Sequence, residues 1–264
     1  MTEDGARGGG GGGRPSVRER FSKVASNYGP SSSWHAGESP LAEVVAFCRP
    51  SPDDAVLDVA TGAGNTALAL APRVRLVVGL DLTSEMLAEA GRQEAAKGVA
   101  NARWVLGDAA RLPFRGAAFD LYVVRAAPHH FPDLGRALGE SLRVLRAGGR
   151  AVFIDCSPPH AARELLHEVE VGRDPSHVRS RTLEEWVSAI EGAGLRVVEA
   201  ERRSQDWDFA DWMGRQAVPA ATRERLGRRI EESTGEAREQ LRPRRQEGRL
   251  FFTYWHSFVR AERP

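Results

Sequence analysis

From residue 55 onward, short apolar segments alternate with segments of helical periodicity, and this alternation constrains the fold most strongly. The predicted strands are 55–60, 74–80, 102–106, 119–124, 150–154, 195–200 and 251–259. The predicted helices are 65–71, 84–97, 134–145 and 182–194. Ser84 is expected to cap the second helix, and Thr182 with Glu185 forms a capping-box pattern at the last. Strands that alternate with helices predict a doubly wound α/β sheet with a parallel core.

The first 50 residues do not follow this alternation. Residues 1–14 contain six consecutive glycines, and we expect a disordered tail there because glycine loses the most conformational entropy on ordering. Residues 16–28 and 38–48 have apolar positions at helical spacing. We therefore expect a helical cap over 15–50, within a single domain that continues to residue 264.

Two later segments interrupt the alternation. Residues 157–181 are polar and contain three prolines. Residues 205–247 are predicted to form two or three helices inserted before the last strand. We expect both to be helical lid segments over the C-terminal edge of the sheet.

The composition narrows the classes of function. The 264 residues are 41% hydrophobic and 28% charged, as in globular proteins. Thirty-seven basic residues oppose 36 acidic ones, which argues against a dedicated nucleic-acid binder because such proteins carry a basic excess. The sequence has neither an apolar run of about 18 residues nor the apolar core of a signal peptide, so we expect a cytoplasmic protein without a membrane span. Cys48 and Cys156 make neither a disulfide framework nor a metal-binding pair, and we predict no metal.

A glycine-containing loop between the first strand and the first helix gives the strongest local signal. It reads Asp58-Val59-Ala60-Thr61-Gly62-Ala63-Gly64-Asn65. Glycines here let the backbone approach a ligand, and the helix N-terminus favours polar or anionic groups. Gly62, Gly64 and Ala67 fit the G-x-G-x-x-G/A pattern of dinucleotide sites, and Asp81 after the second strand could bind ribose hydroxyls. Alone, the loop is also compatible with a strand–helix turn that binds nothing.

Four further motifs follow this loop. They are Gly79-Leu80-Asp81-Leu82-Thr83 with Met86, Gly107-Asp108-Ala109-Ala110-Arg111-Leu112-Pro113-Phe114, Phe119-Asp120-Leu121-Tyr122 and Val144-Leu145-Arg146-Ala147-Gly148-Gly149. With the loop, this ordered set resembles the class I S-adenosylmethionine-dependent methyltransferases, and more closely the small-molecule branch (methyltransferase type 11) that includes the ubiquinone/menaquinone C-methyltransferases. The resemblance covers about residues 15–260, and it departs from the family pattern at Ala60, where the loop has no glycine. It implies a Rossmann-like sheet of seven strands, mostly parallel with an antiparallel last strand.

The resemblance implies S-adenosylmethionine as the cofactor, S-adenosylhomocysteine as its product, and a role for each carboxylate. Asp58 would meet the ammonium group, Asp81 the ribose diol and Asp108 the adenine amino group. The residues assigned to the cofactor site are Tyr28, Asp58, Thr61, Gly62, Gly64, Asn65, Asp81, Leu82, Met86, Asp108, Ala109 and Arg125. Asp58 and Asp108 are also compatible with purely structural roles, as caps of a helix and of a turn. No tyrosine is followed by a lysine four positions on, which argues against a nicotinamide cofactor.

The loop after the fourth strand carries the candidate catalytic residues. It reads Arg125-Ala126-Ala127-Pro128-His129-His130-Phe131 and follows the strand that leads towards the methyl group. Methyl transfer needs a base only where the nucleophile must lose a proton. His130 is the first candidate, because members of the family keep a histidine followed by phenylalanine here, and His129 is the second. Both histidines are also compatible with packing or hydrogen bonding inside the loop.

The N-terminal segment contributes Tyr28, Ser33 and His35, and in similar enzymes it folds over the cofactor, where an aromatic ring closes the pocket. Tyr28 is also compatible with packing at a helix end. His177 is a weaker candidate for the base.

Residues 170–181 could form a lid, a substrate wall or an ion-pair network at the surface, and for Arg173 and Asp174 we favour the ion-pair network. Four residues at helical spacing are expected in the core, although they could also form a substrate wall: Trp207, Phe209, Trp212 and Met213.

The sequence therefore predicts an S-adenosylmethionine-dependent methyltransferase that acts on a small molecule, such as a quinone- or polyketide-like metabolite. No nucleic-acid partner is expected, because the motif of base-amino methylation is absent, and an oligomer stays open. A methyltransferase-fold protein that catalyses a non-methylating step such as cyclisation, or that serves as a scaffold, would keep the same three aspartates. A nicotinamide-dependent oxidoreductase is the third alternative, and ligand binding distinguishes it.

Overall fold

A computed structural model describes residues 16–28 and 38–264, and the strands of this part of the chain form one eight-stranded sheet. They are β1 Ala55–Val59, β2 Leu76–Asp81, β3 Ala102–Leu106, β4 Phe119–Arg125, β5 Leu145–Cys156, β6 Arg196–Asp208, β7 Arg244–Gln246 and β8 Arg249–Glu262. The strand order is β3-β2-β1-β4-β5-β8-β6, and β7 pairs only with β8. β1 to β5 pair in parallel, whereas β8 runs antiparallel to β5 and β6. The predicted Rossmann-like sheet with an antiparallel last strand is confirmed.

The strand number differs from the expected seven because β7 folds back on the start of β8. Gln246 pairs with Arg249, so two residues connect the strands. These residues, Glu247 and Gly248, have φ angles of 51° and 79°. Positive φ at both positions is typical of a tight hairpin turn, and glycine adopts it without strain.

The helices lie mostly where periodicity predicts them. They are α1 Val17–Val24, α2 Glu38–Cys48, α3 Asn65–Leu70, α4 Ser84–Lys97, α5 Leu134–Val144, α6 Arg163–Arg173, α7 Leu183–Gly192, α8 Phe209–Gly214, α9 Ala220–Glu231 and α10 Gly235–Leu241. The predicted capping box at Thr182 and Glu185 is present. Ser84 is the first residue of α4 rather than its cap, because the chain enters the helix through Thr83. Within the described residues, none of the helices combines the length and apolarity needed to cross a membrane.

The helical prediction for 205–247 is wrong at both ends, because β6 continues to Asp208 and β7 occupies Arg244–Gln246. Residues 205–208 continue β6, and Trp207 pairs with Phe252 of β8. The Trp207 ring also stacks on Tyr254, with ring centroids 4.3 Å apart. Cross-strand packing therefore determines the local structure here, which periodicity could not show. The four residues expected in the core are buried there: Trp207, Phe209, Trp212 and Met213.

The centre of the sheet is buried on both faces. Every residue of β1 and β4 is buried, and the side chains above and below them belong to two separate apolar clusters. Strands that are covered on both faces have nearly continuous apolar sequences, and this pattern predicts β1 and β4 from the sequence. The chain runs outward from β1 to β2 and β3 on one side and from β4 to β5 on the other. This reversal opens a crevice at the carboxyl ends of β1 and β4, where open α/β sheets bind ligands.

Candidate active site

A cavity of about 350 Å³ lies at the carboxyl ends of β1, β2 and β4. The loops after these strands line it, and residues of α1 line it as well. This volume falls in the range of about 300–1,000 Å³ found for small-molecule sites. The cavity therefore occupies the place that the switch-point rule assigns to a ligand.

The glycine loop forms one wall of the cavity in a left-handed conformation. Ala60, Gly62 and Gly64 have φ angles of 54°, 54° and 80°. Alanine in this region costs about 1–2 kcal/mol, so the chain carries backbone strain at Ala60, where the family pattern has glycine. A Cβ atom on Gly64 would lie 2.7 Å from Cη2 of Trp104, whereas one on Gly62 would meet no atom within 4 Å. Gly64 thus serves close packing, and Gly62 faces the open cavity.

This difference predicts unequal effects of two alanine substitutions on stability. Gly62→Ala is expected to cost about 1–2 kcal/mol of unfolding free energy, because only the backbone is strained. Gly64→Ala should cost about 1–3 kcal/mol more, because the new methyl group overlaps the Trp104 ring. That ring cannot easily move, since its Nε1–H donates to Glu94 Oε2 over 2.6 Å. Urea unfolding of both variants without ligand measures the difference, and equal losses would show that Trp104 moves aside.

Asp58, in β1, is buried beneath the glycine loop. Its Oδ2 accepts hydrogen bonds from the Thr61 hydroxyl (2.6 Å) and from the Ala67 N–H (3.1 Å) in the first turn of α3. Asp58 therefore does cap this helix, which was the structural alternative for it. Its Oδ1 has no hydrogen-bond partner within the described ranges, and the residue lines the cavity. Burial raises the pKa of Asp58 to about 6, although the Thr61 hydrogen bond and Arg125 act in the opposite direction.

Asp81 ends β2 and holds the entrance to α4. Its Oδ2 accepts from the Gly62 N–H (2.8 Å) and its Oδ1 from the Thr83 N–H (2.9 Å). Burial raises the pKa of this carboxyl group. A carboxylate oxygen can accept more than one hydrogen bond, so this group, which lines the cavity, can also accept from a hydroxyl of a ligand there.

Asp108 lies after β3 and is exposed at the cavity rim. Its Oδ1 accepts from the Ala110 N–H over 2.8 Å, and its carbonyl accepts from the Arg111 N–H. It therefore also caps a turn, as its structural alternative proposed. The neighbouring Ala109 lines the cavity beside it.

The N-terminal segment is attached to the cavity walls by specific contacts. The Ser22 hydroxyl on α1 donates to Glu85 Oε2 of α4 over 3.1 Å. The Asn65 side chain donates to the Tyr28 carbonyl over 3.2 Å. The Phe21 ring lies 5.7 Å from the ring of Tyr28 and 5.2 Å, edge to face, from His130. These contacts place α1 and the 3₁₀ turn Ala25–Tyr28 over the cavity.

The two adjacent histidines have different environments. His130 is buried and lines the cavity, and its Nδ1–H donates to the Ser176 carbonyl over 3.2 Å. The His129 Nδ1–H donates to Asp155 Oδ1 over 2.6 Å, and His129 is not part of the cavity lining. Their rings contact each other, with centroids 4.1 Å apart. The structure thus brings only His130 to the cavity.

The same contacts shift the pKa values of the two imidazole rings in opposite directions. Burial alone would lower the pKa of His129, but the Asp155 carboxylate outweighs it and the pKa is raised well above its usual value. Burial, together with the positive charge of His129, lowers the pKa of His130 to about 3. At neutral pH, His129 is an imidazolium paired with Asp155, and His130 is neutral. A neutral imidazole can accept a proton, and His130 is the one of the two placed to do so.

His177 lies behind the histidine pair rather than in the cavity lining. Its ring stacks on His129, with centroids 5.0 Å apart, and burial lowers its pKa. His129, Asp155 and Cys156 have ligand-type atoms within 4.8 Å of one another. The pairing of His129 with Asp155 and of Cys156 Sγ with the Ser180 hydroxyl (3.2 Å) gives each of them a protein partner. The absence of a metal stays a prediction.

Most of the predicted site residues meet at the cavity. Its lining includes Tyr28, Asp58, Thr61, Gly62, Asn65, Asp81, Leu82, Met86, Asp108, Ala109, Arg125 and His130. The predicted residues outside the lining are Gly64 and His129. Arg125 is held by its side chain as well as its backbone, because its Nε–H donates to Thr66 Oγ1 over 2.9 Å. Ser33 and His35 lie outside the described residues.

The prediction of surface ion pairs for Arg173 and Asp174 is wrong. Arg173 is 8% exposed and Asp174 is 1% exposed. Arg173 pairs with Glu170 over 3.2 Å, and Asp174 accepts hydrogen bonds from Ser176 and Gln216. Both residues are buried because α1 and the turn after α8 cover them. The sequence carries no local signal for this, since Arg20 and Gln216 are 196 residues apart in the chain.

Sequence reasoning also missed the contribution of α1 to the cavity lining. Ser16, Val17, Arg18 and Phe21 all line the cavity. The amphipathic pattern of this helix indicates only that one face is buried. It does not show that the buried face covers a ligand site.

The sheet order defines a Rossmann-like α/β protein, and the cavity lies at its switch point. Comparisons with known proteins give its family. Residues 57–153 match the model of a methyltransferase domain. The uncharacterized methyltransferase YcgJ of Bacillus subtilis is 34% identical over 222 residues, which are 83% of this chain and 87% of that protein. Its crystal structure matches with a TM-score of 0.79 and 29% identity, covering 84% of this chain and 97% of that chain.

A demethylmenaquinone methyltransferase of Thermus thermophilus is 42% identical over 106 residues, which are 39% of this chain and 48% of that protein. The match to YcgJ extends over more than four fifths of both chains. The chain therefore belongs to the class I S-adenosylmethionine-dependent methyltransferases, in the branch that includes YcgJ and the ubiquinone/menaquinone C-methyltransferases.

Proposed function

We propose that this protein transfers the methyl group of S-adenosylmethionine to a hydroxyl or carbon nucleophile of a small molecule. The single observation that carries the proposal is the convergence of Asp58, Asp81 and Asp108 on one cavity behind the glycine loop. These carboxylates suit three separate polar parts of the cofactor, namely its ammonium group, its ribose diol and its adenine amino group. A pyrophosphate would gain nothing from Asp58, which argues against a nicotinamide dinucleotide.

The hydrogen-bond acceptors and the apolar side chains that line the cavity fit this cofactor. Asp58 Oδ1 has no protein partner within the described ranges, so an ammonium group would find an acceptor there. A nearby cation would also lower the pKa of Asp58 from about 6 and keep it ionised. Leu82 and Met86 offer apolar surface beside Asp81 for a purine ring.

The residues around His130 suggest the acceptor. Phe21, Tyr28 and Phe131 present aromatic rings at this part of the cavity. Aromatic walls favour a flat apolar molecule, and the relative named demethylmenaquinone methyltransferase supports a quinone- or phenol-like acceptor. We propose that His130 accepts the proton of the acceptor's hydroxyl group through Nε2, because its Nδ1 is already bonded to Ser176.

The chemical contribution of the protein is mainly alignment. S-adenosylmethionine supplies a methyl group that is already activated by the sulfonium. The chain's residues hold the acceptor in line with that methyl group and exclude water, and such positioning can supply about 7–11 kcal/mol of the barrier. A positioned base adds about 10²–10⁴-fold where a proton must leave.

Calorimetric titration of the purified protein with S-adenosylhomocysteine, beside NADH, tests the cofactor. We expect micromolar binding of the first ligand and none of the second. Binding of NADH alone, or of neither ligand, would contradict the proposal. Transfer of labelled methyl groups to a panel of phenols and quinols then tests the acceptor, and cofactor binding without any transfer would favour the non-methylating alternative.

A further inference from the structure

Asp174 lies at the end of α6, where the N-terminal segment, the loop 174–177 and the turn after α8 meet. Its Oδ1 accepts from the N–H (3.0 Å) and the hydroxyl (2.6 Å) of Ser176. Its Oδ2 accepts from the Gln216 side chain over 2.9 Å. Asp174 is 1% exposed, so its charge is held entirely by protein groups.

Gln216 connects Asp174 to the segment that covers the cavity. The Gln216 amide group donates to the Tyr28 hydroxyl over 2.8 Å as well as to Asp174. Its Oε1 accepts from Arg20 Nε on α1 over 2.9 Å, and its carbonyl accepts from the same guanidinium group. Arg20 Nε is also 4.0 Å from Asp174 Oδ1. The covering segment is therefore linked to Asp174 at two points, Arg20 and Tyr28, and both links pass through Gln216.

The same carboxylate determines the surroundings of His130. Ser176, which Asp174 holds through two hydrogen bonds, provides the carbonyl that accepts from the His130 Nδ1–H. Asp174 Oδ2 is 3.9 Å from His130 Nε2. Charged groups also approach from other elements, namely Arg20 of α1, Arg173 of α6 and the imidazolium of His129.

We propose that Asp174 is a positioning residue that links closure of the N-terminal segment over the cavity to the orientation of His130. The closed segment delivers Arg20 and Tyr28 to Gln216, Gln216 fixes Asp174, and Asp174 fixes the loop whose Ser176 carbonyl holds the His130 ring through its Nδ1–H. The role assigned to His130 depends on the proposed methyl transfer, but the link between the segment and the histidine does not. Closure over the cofactor and preparation of the base are then one event.

Asp174→Asn tests this link with a side chain of the same size, and Arg20→Ala tests it from the other end. Lys23→Ala is the matched control for Arg20→Ala, because Lys23 is an exposed cation on the same helix. Hydrogen exchange of residues 17–28 measures closure. The ring ¹⁵N signals of His130, identified by their loss in His130→Gln, measure its tautomer.

In both test variants, Asp174→Asn and Arg20→Ala, we expect faster hydrogen exchange in residues 17–28 and a shift of the His130 ring signals away from the Nδ1–H form. We also expect S-adenosylhomocysteine to bind roughly tenfold more weakly, as for loss of a charge-assisted hydrogen bond. Lys23→Ala should change none of these. Faster exchange with unchanged His130 signals would overturn the proposal, since Asp174 would then anchor the segment only. Unchanged exchange would overturn it as well.

The proposal for Asp174 and the proposal of methyl transfer can be refuted independently of each other. Exchange and ring signals are measured without cofactor, so they test Asp174 even if the wild-type protein binds no S-adenosylhomocysteine. If Asp174→Asn does not fold, hydrogen exchange and the His130 ring signals are measured in two other variants. Arg20→Ala tests the link on the side of the N-terminal segment, and Ser176→Ala tests it on the side of His130.

Discussion

Replacing Asp81 with alanine is expected to weaken S-adenosylhomocysteine binding by about 1–3 kcal/mol, which is roughly 5- to 150-fold in Kd. The reason is that Asp81 is the buried acceptor at the end of β2 and lines the cavity. Its removal also leaves the Gly62 and Thr83 N–H groups without their acceptor, so part of the loss comes from a less ordered loop. Calorimetric titration measures the Kd.

Glu89→Ala is the control for this substitution, because it removes a carboxylate of α4 that does not line the cavity. Thermal unfolding of both variants separates loss of affinity from loss of fold. An unchanged Kd in a folded Asp81→Ala protein would refute the assignment of Asp81 to the ribose.

Replacing His130 with glutamine is expected to lower the rate of methyl transfer about 10²–10⁴-fold and to leave the affinity for S-adenosylhomocysteine nearly unchanged. The imidazole borders the cavity and is neutral, because burial and the adjacent His129 lower its pKa to about 3. A base with this pKa is a weak proton acceptor, so the loss in rate is expected at the lower end of the range of about 10²–10⁴-fold. It keeps its lone pair throughout the neutral range. The rate should therefore fall by the same factor at every pH between about 5 and 9, rather than shift to another optimum.

The measurement is methyl transfer from labelled S-adenosylmethionine to whichever phenol or quinol the wild-type protein turns over. His160→Gln is the control, since His160 is exposed at the start of a 3₁₀ turn before α6. Intact turnover in His130→Gln would mean that the base lies elsewhere or that the acceptor needs none. A loss confined to high pH would mean that the imidazole of the wild-type protein titrates near neutrality and that its pKa is not lowered.

Much of the candidate site was accessible from the sequence because it lies directly after strands. Asp58, Asp81 and Asp108 each stand in or just after a β-strand, and the carboxyl ends of parallel strands meet at one edge of the sheet. His130 follows the fourth strand in the same way. For these residues, position along the chain and position in space are linked by the geometry of the sheet itself.

Local periodicity and short connections between neighbouring elements were enough to predict the central sheet and the glycine loop, and the resemblance to the methyltransferases added the roles of the three aspartates. Only the tertiary structure decided which of two adjacent histidines reaches the cavity, that β6 continues through Trp207, and that Asp174 is buried between the N-terminal segment and Gln216. These outcomes depend on contacts between residues far apart in the chain, such as the 196 positions between Arg20 and Gln216. A polar residue looks the same in the sequence whether solvent or a distant segment covers it, and its burial is settled only when the elements pack.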